Sequence, residues 1–169
     1  IASDPKLFGF VPECAPDAPI VIGDARLKLA NAPDASYDLI VIDAFIGAAI
    51  PVHLLTREAM ALYLRKLKPD GLIAMHISNK NLELASVVAG IAEANGLIAR
   101  VYDGGDVEED ADRYLWVPRV AAIARGEQDF GALARSSYWP VFERDPSQRV
   151  WSDDYSNVVG ALLRNLRSR

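Results

Sequence analysis

The sequence predicts an α/β protein built on a largely parallel sheet. Short apolar runs, typical of buried strands, alternate with longer segments whose apolar residues recur at helical spacing. Such alternation implies βαβ units with right-handed crossovers. The last apolar run, 114–124, follows the preceding strand without an intervening helix, and this order favours an antiparallel partner for that strand.

Composition supports a globular chain and excludes several classes of protein. The chain has 169 residues, of which 51% are hydrophobic and 24% charged, so it can bury a core and is not of a disordered type. A net charge of -5 without any basic block argues against nucleic-acid binding. The single cysteine, Cys14, excludes an internal disulfide and a CxxC metal or redox site, which fits a reducing, cytoplasmic location.

The longest apolar segment is too short to cross a membrane, because Asp43, Pro51 and His53 interrupt a stretch that would need roughly 20 apolar residues. Residues 1–5 have neither an initiator methionine nor the basic and apolar regions of a signal peptide. We therefore interpret residues 1–169 as one partial domain from the interior of a longer protein.

Two predicted strands end in a carboxylate. The run 20–22 is followed by Gly23 and Asp24, and the β-branched run 37–42, which we predict to be buried on both faces, is followed by Asp43. In open α/β sheets, ligands bind beyond the carboxyl ends of the strands. Asp43 is therefore the leading candidate for a functional residue, although Asp is also common in ordinary turns.

Helices are predicted between the strands from apolar spacing and end signals. One helix has Thr56 as its N-cap and ends at 69–71, and the next ends at the pair Asn95-Gly96. Further predicted elements are one or two helical turns at 26–31, strands at 72–77 and 97–102, and a C-terminal helix with Val159, Leu162, Leu163 and Leu166 on one face.

Three further polar positions have a functional and a structural interpretation. His76 near a strand end could line a ligand pocket with Asn79, but a lone histidine is more often packed or solvent-facing. Asp153 and Asp154 could contact a substrate, or they could cap the C-terminal helix. The acidic segment 103–112 could attract a cation, although charge runs are usually solvated loops.

Several blocks of the sequence, in this order, resemble the spermidine synthase-like group of class I S-adenosylmethionine-dependent transferases. The similarity is nearest to bacterial proteins in which such a domain follows a membrane-embedded region. The blocks that carry the resemblance are Gly23-Asp24-Ala25-Arg26, 37–45, 50–58, 67–71, His76-Ile77-Ser78-Asn79 and 151–157.

The resemblance implies a Rossmann-like sheet with an antiparallel C-terminal strand, and it implies roles for individual residues. Asp24 would accept a hydrogen bond from the adenine amino group, with Ala25 beside it, and Asp43 would be the first acidic residue of the catalytic loop. Asp153, Asp154 and Tyr155 would close over the substrate. Carboxylates suit this chemistry, because an amine nucleophile must lose a proton and a polyamine is cationic.

The resemblance also implies a co-substrate, S-adenosylmethionine or its decarboxylated form, together with a small amine substrate, and it implies no metal. Two departures bear on activity. The family's glycine-rich loop and its ribose-binding acid would lie ahead of Ile1, and residues 44–49 lack the second Asp that aminopropyl transfer uses. We therefore expect this fragment to be inactive. Two alternatives stay open: a methyltransferase, and a non-catalytic regulatory or assembly module that keeps the fold.

Without the leading βα unit, the sheet is expected to have an exposed edge. In the family fold, the strands of that unit separate the strand at 20–22 from the strand at 39–42. We expect a homodimer to cover this edge, or the N-terminal residues to rearrange over it.

Overall fold

The structure, a computed structural model, describes residues 4, 6, 9–44, 51–79, 81–102 and 118–167. The predicted α/β class is confirmed. The helices and strands are, in chain order, α1 (Phe10–Cys14), α2 (Ala25–Ala30), β1 (Tyr37–Ile42), α3 (Arg57–Lys66), β2 (Leu67–His76), α4 (Ala85–Ala94), β3 (Ile98–Tyr102), β4 (Val120–Ala124) and α5 (Val158–Arg167), with 3-10 helices at Val52–Leu54 and Glu127–Arg135.

The four strands form one sheet in the order β1-β2-β4-β3. β1 and β2 are parallel, whereas β4 lies between β2 and β3 and is antiparallel to both. The antiparallel partner predicted for β3 is therefore confirmed, but the description of the sheet as mostly parallel is wrong for these pairings. β4 lies directly beside β2 and separates it from β3, which runs in the same direction as β2.

β1 is one of the two edge strands of the described sheet, and it is buried on one face only. Ile40 and Ile42 are buried, whereas Leu39 and Val41 are 51% and 61% exposed. The prediction of burial on both faces is wrong because no described element covers Leu39 and Val41. On that same face, Phe130 and the 3-10 helix around it cover Ala122 and Ala124 of β4 and leave β1 open.

The predicted strand at 20–22 is also wrong. Ile20, Val21 and Ile22 have no strand pairing and are 50%, 66% and 83% exposed. An extended segment needs a neighbouring strand to satisfy its backbone hydrogen bonds, and the described sheet provides none at this place. The short helix predicted after it is present as α2, and Asp24 is its N-cap.

The junction between α3 and β2 lies earlier than the sequence predicts. Thr56 caps α3 as expected, but the helix ends at Lys66 and β2 begins at once. The segment 69–71 therefore lies inside β2, where the pairing with β1 shifts between Tyr37 and Leu39. Gly71 faces the Asp38 carbonyl closely: a Cβ at this position would lie 2.9 Å from that oxygen.

The main core lies between the sheet and the helices α3 and α4. Most of α4 is buried. The helix is followed by the predicted end pair Asn95-Gly96, and Gly96 has the left-handed φ of 69° that is common after a helix. Trp151, ahead of α5, is fully buried in the same cluster. The backbone carbonyl of Trp151 accepts a hydrogen bond from the Arg57 N–H at the start of α3, which attaches the C-terminal segment to that helix.

The C-terminal helix is present as predicted, but its apolar face is open. Val159, Leu162, Leu163 and Leu166 are between 38% and 66% exposed, while Ala161 is buried. The acidic segment 103–112 and the first part of the run 114–124 lie outside the described residues. Among the helices described, none combines the length and the apolar character that a membrane span requires.

Candidate functional site

The parallel pairing of β1 and β2 places Asp43 and His76 side by side. Ile42 pairs with Met75, so the residues that follow them, Asp43 and His76, lie at the same carboxyl edge of the sheet. β4 runs in the opposite direction, and its first residue, Val120, pairs with His76. Asp43 lies at a strand end, as predicted, and the end of β2 is beside it. This is the place where open α/β sheets bind ligands.

Asp43 and His76 are in direct contact. The His76 Nδ1 lies 2.8 Å from one carboxylate oxygen of Asp43, Oδ1. The Asp43 side chain is 70% exposed and that of His76 is 36% exposed. The second oxygen, Oδ2, has no hydrogen-bond partner within the described part of the chain. This carboxylate is therefore held at one oxygen and open to solvent at the other.

Ser78 completes a chain of three side chains. Its hydroxyl lies 2.7 Å from the His76 Nε2, accepts a hydrogen bond of 2.7 Å from the Arg119 backbone N–H, and is 3.4 Å from the Arg119 carbonyl. An Asp-His-Ser order of this kind resembles the arrangement of a serine hydrolase. Ser78 is buried, however, and its oxygen already accepts from a backbone amide, so it is poorly placed to act as a nucleophile.

Asn79 follows at the start of the next loop. Its side-chain oxygen accepts hydrogen bonds of 2.9 and 3.0 Å from the backbone N–H groups of Asn81 and Leu82. This arrangement shapes the turn that leads to α4. Of the two residues predicted to line a pocket, His76 is therefore bonded to Asp43, and the side-chain oxygen of Asn79 stabilises a turn.

Asp24 is bonded on both oxygens. Oδ1 accepts a hydrogen bond of 2.9 Å from the Leu27 backbone N–H, which caps α2, and Oδ2 lies 3.0 Å from the His53 Nε2. The Leu27 amide lowers the pKa of Asp24, and His53 adds to this effect. Ala25, the other residue expected beside adenine, is the first residue of α2 and is exposed.

Asp153 lies in the tight turn between Ser152 and Tyr155, and its carboxylate is held by Arg26. Arg26 donates two hydrogen bonds of 2.7 Å, one to each oxygen, and the Thr56 hydroxyl donates a third, also of 2.7 Å. The Arg26 hydrogen bond is the largest influence that lowers the pKa of Asp153. The helix-cap interpretation of Asp153 is not what the structure shows, because the Asn157 side chain caps α5 by accepting from the Gly160 N–H at 2.8 Å.

A cavity of about 400 Å³ opens beside this ion pair. It brings together the three residues predicted from the C-terminal block with residues of α2 and of the segment before α3. The Tyr155 ring forms part of the wall and is covered by the Arg149 guanidinium at 4.1 Å. Asp154 makes no hydrogen bond or ion pair to the described residues. The lining residues are Arg26, Val52, His53, Thr56, Ser152, Asp153, Asp154, Tyr155 and Ser156.

This cavity and the Asp43 site both lie near the carboxyl ends of the parallel strands. β1 ends at Ile42, and the chain then returns through Val52–Leu54 to the N-terminus of α3, where Thr56 lines the cavity. In a βα unit the helix N-terminus follows the carboxyl end of the strand, so both features lie at the ligand-binding edge. Asp24 does not line the cavity itself but is bonded to His53, which does.

Three residues of the site, Arg26, His53 and Ser78, had no functional role predicted from the sequence. The Arg26 contact could not have been found, because its partner Asp153 is 127 residues away. Ser78 carried a weak local signal: it follows His76 by two residues on an extended segment, a spacing that places side chains on one side. Across the described ranges, no group of His, Cys, Asp or Glu side chains is arranged to hold a metal ion.

Comparison with known proteins identifies the fold. No protein-family model and no curated protein sequence matches the chain. Among solved structures, a probable spermidine synthase from Corynebacterium glutamicum superposes with a TM-score of 0.56 at 19% sequence identity, over 88% of this chain. The chain has a spermidine synthase-like fold. This confirms, at the level of the fold, the resemblance identified from the sequence blocks.

The chain spans only part of these proteins. It covers 61% of the length of the Corynebacterium glutamicum structure. A spermidine synthase from Thermotoga maritima also matches, with a TM-score of 0.46 and 18% identity, over 94% of this chain and 53% of that one.

Proposed function

We propose that this chain is the C-terminal portion of a spermidine synthase-like transferase, which moves an aminopropyl group from decarboxylated S-adenosylmethionine to a polyamine. The observation that carries the proposal is the exposed carboxylate of Asp43, held by His76 at the carboxyl edge of β1 and β2. A carboxylate at this position can bind a cationic amine and accept the proton that the amine must lose.

Within this proposal, the predicted residues have distinct roles. Asp43 is the catalytic residue, and His76 orients it. Asp24 and Ala25 bind the adenine of the co-substrate at the start of α2. Asp153, Asp154 and Tyr155 bind the amine substrate at the cavity. Asp154 is a carboxylate that has no partner among the described residues, whereas Asp153 forms an ion pair with Arg26 in the cavity wall.

The described residues fit one part of a nucleoside co-substrate site. The cavity of about 400 Å³ that we assign to the amine is within the range of small-molecule sites, and Asp24 adjoins it through its bond to His53. The Asp24 carboxylate is 37% exposed and keeps accepting capacity beyond its bonds to Leu27 and His53, because each carboxylate oxygen can accept two hydrogen bonds. The co-substrate, when bound, supplies the sulfonium whose adjacent carbon is attacked. We expect the chain by itself to be inactive, as the family's glycine-rich loop is not among its residues.

A methyltransferase is the second candidate. The observation that favours it is the absence of a carboxylate in the sequence 44–49 after Asp43, where aminopropyl transfer would use a second Asp. Methyl transfer from S-adenosylmethionine to a nucleophile oriented by Asp43 needs one such group. The third candidate is a non-catalytic module, which the apolar sequence of 46–49 and the internal bonding of Asp24 and Asp153 favour.

Calorimetric titration separates these candidates. S-adenosylmethionine, its decarboxylated form and methylthioadenosine are titrated into this chain and into the protein with whatever residues its gene encodes ahead of Ile1. Binding by the longer protein, with putrescine-dependent turnover of the decarboxylated form, is the expected result. Binding without that turnover leaves methyl transfer, and no binding of any of the three contradicts both transferase functions.

We further propose that residues 1–169 form one partial domain of a cytoplasmic protein, or of the cytoplasmic part of a membrane protein, and that the domain forms a homodimer through β1. The outer edge of β1 has no strand partner in the described sheet, and Leu39 and Val41 beside it are exposed. An edge strand can pair with its own copy across a two-fold axis and so satisfy both backbones.

A further inference from the structure

The proposed transfer reaction releases a proton, and Asp43 is the exposed carboxylate at the carboxyl ends of β1 and β2 that can take it. The amine nitrogen forms a bond to the carbon next to the sulfonium, the C–S bond breaks, and its electron pair neutralises the sulfur. The nitrogen then carries an extra proton, which must pass to a base and on to solvent. Residues 44–49 supply no carboxylate. The following inference rests on the proposed function, because it concerns the same site.

We propose that His76 is the positioning residue of this site: it is held as the Nδ1–H tautomer by Ser78, and it fixes one oxygen of Asp43 so that the other binds the substrate ammonium and accepts its proton. The contact that would do this is the 2.8 Å bond between the His76 Nδ1 and the Asp43 Oδ1. A single oriented carboxylate then serves where two would otherwise be used.

Ser78 adds to the preference for a proton on Nδ1 that the acceptor-only Asp43 carboxylate gives His76. Its oxygen accepts a hydrogen bond from the Arg119 N–H at 2.7 Å, so its own proton is directed elsewhere. That proton has two acceptors within reach, the His76 Nε2 at 2.7 Å and the Arg119 carbonyl at 3.4 Å, and the nearer one makes the better hydrogen bond. A neutral His76 that accepts at Nε2 must donate from Nδ1, and Nδ1 faces Asp43.

The exposure of the three side chains increases from Ser78 through His76 to Asp43. Ser78 is 8% exposed and is hydrogen-bonded to the backbone of Arg119, the residue before β4. The His76 side chain is 36% exposed and the Asp43 side chain is 70% exposed. The fixed end therefore lies inside the protein and the reactive end lies in solvent. The Asp43 Oδ2 can meet a bound ammonium, and its proton can leave to water after each transfer.

The tautomer can be measured directly, because the chain contains two histidines, His53 and His76. Long-range ¹H–¹⁵N spectra of the imidazoles distinguish a protonated Nδ1 from a protonated Nε2, and the variant His53→Gln assigns the signals. We expect the neutral imidazole of His76 to carry its proton on Nδ1. A proton on Nε2 would overturn the inference. Because the Asp43 carboxylate alone favours a proton on Nδ1, the role of Ser78 is measured in an Asp43→Leu background. His76 should keep its proton on Nδ1 in Asp43→Leu and become a mixture of tautomers when Ser78→Ala is added, and an unchanged spectrum in that folded double variant would also overturn the inference.

Amine binding tests the orienting role with a matched pair of variants. The amide nitrogen of Asn can occupy the place of the histidine Nδ1, so His76→Asn keeps a donor to Asp43, whereas His76→Leu removes it. With putrescine as the probe, we expect His76→Leu and Asp43→Asn to weaken binding by about tenfold, the scale of a hydrogen bond to a charged group. His76→Asn should stay within about threefold of the original chain.

The two measurements separate this inference from the proposed function. The tautomer is read without any amine or co-substrate. If wild-type protein does not bind putrescine while His76 is protonated on Nδ1, the polyamine function fails and the positioning by Ser78 stands. If putrescine binds and His76→Leu binds it as well as His76→Asn does, the polyamine function stands and the positioning role of His76 is wrong.

Discussion

Arg26 and Asp153 are joined by two parallel hydrogen bonds of 2.7 Å, although they are 127 residues apart in the sequence. The contact connects α2 to the turn that precedes α5. Thr56 at the start of α3 donates a third hydrogen bond to the same carboxylate. Three segments of the chain therefore meet at one side chain, and the cavity beside it takes its shape from that meeting.

The contribution of Asp153 to stability should depend on pH. Arg26 lowers the pKa of Asp153 below its ordinary value of 3.8, so the folded state binds fewer protons than the unfolded state around that pH. The stabilisation is complete above about pH 5 and is lost as the pH falls through the lower folded pKa. Asp153→Asn should cost about 1 kcal/mol in the free energy of unfolding at pH 7, with a difference from wild type that narrows towards pH 3.

Urea unfolding at a series of pH values measures this difference, and Asp154→Asn provides the control. Asp154 is the neighbouring exposed carboxylate and makes no bond to the described residues, so its variant should follow the wild type at every pH. The expectation is contradicted if the gap between Asp153→Asn and wild type stays constant as the pH falls.

Thr56 should be a sensitive position for stability. Its side chain accepts a hydrogen bond of 3.1 Å from the Ala59 N–H, which caps α3, and donates to Asp153, and the residue is 1% exposed. Thr56→Ala removes both bonds and should cost about 2 kcal/mol in the free energy of unfolding. Thr56→Ser keeps the hydroxyl, so it should recover most of that loss. Equal losses in the two variants, measured by urea unfolding, would show that the methyl group matters and the cap does not.

The elements that the sequence predicted well depend on local signals. Thr56 ahead of α3 and Asn95-Gly96 after α4 mark helix ends through bonds and backbone angles within a few residues. The position of Asp43 at a strand end was also predictable, since it is the first polar residue after the apolar run of β1. Local chemistry sets these features, so one sequence suffices to find them.

The features that were missed depend on distant neighbours. Ile20, Val21 and Ile22 have the composition of a strand but no strand beside them in the described sheet. Burial of β1 on both faces would have required a layer over Leu39 and Val41. The hydrogen bond from His76 to Asp43 depends on the register of β1 with β2, which the sequence does not specify. Each of these outcomes follows from pairing between segments.

Gly71 should tolerate no side chain without loss of stability. It lies where β2 departs from regular pairing with β1, and a Cβ would meet the Asp38 carbonyl at 2.9 Å and the Leu67 side chain at 2.6 Å. Gly71→Ala should lower the free energy of unfolding by about 1–3 kcal/mol, the usual range for an overpacked site. Gly90→Ala in α4, where the nearest atom to a Cβ would be the Arg144 side chain at 3.4 Å, should cost less. Thermal unfolding of both variants compares the two positions, and a smaller loss at Gly71 would refute the crowding argument.

The open face of β1 gives a prediction about self-association. Val41 is 61% exposed on an edge strand, and a lysine at such a position discourages strand pairing between molecules. If the chain forms the proposed homodimer through β1, Val41→Lys should be a monomer in sedimentation velocity at concentrations where the wild type is a dimer. Its free energy of unfolding as a monomer should change by less than about 0.5 kcal/mol, because the side chain is exposed.

Leu163→Lys is the matched control for this experiment, because Leu163 is 50% exposed on the open apolar face of α5. A lysine there adds the same charge to the surface without touching β1, so this variant should remain a dimer. Dissociation of Leu163→Lys together with a dimeric Val41→Lys would place the contact on α5 instead. A wild-type chain that is monomeric at all concentrations contradicts the homodimer altogether, and the exposed edge of β1 would then have to be protected within a single molecule.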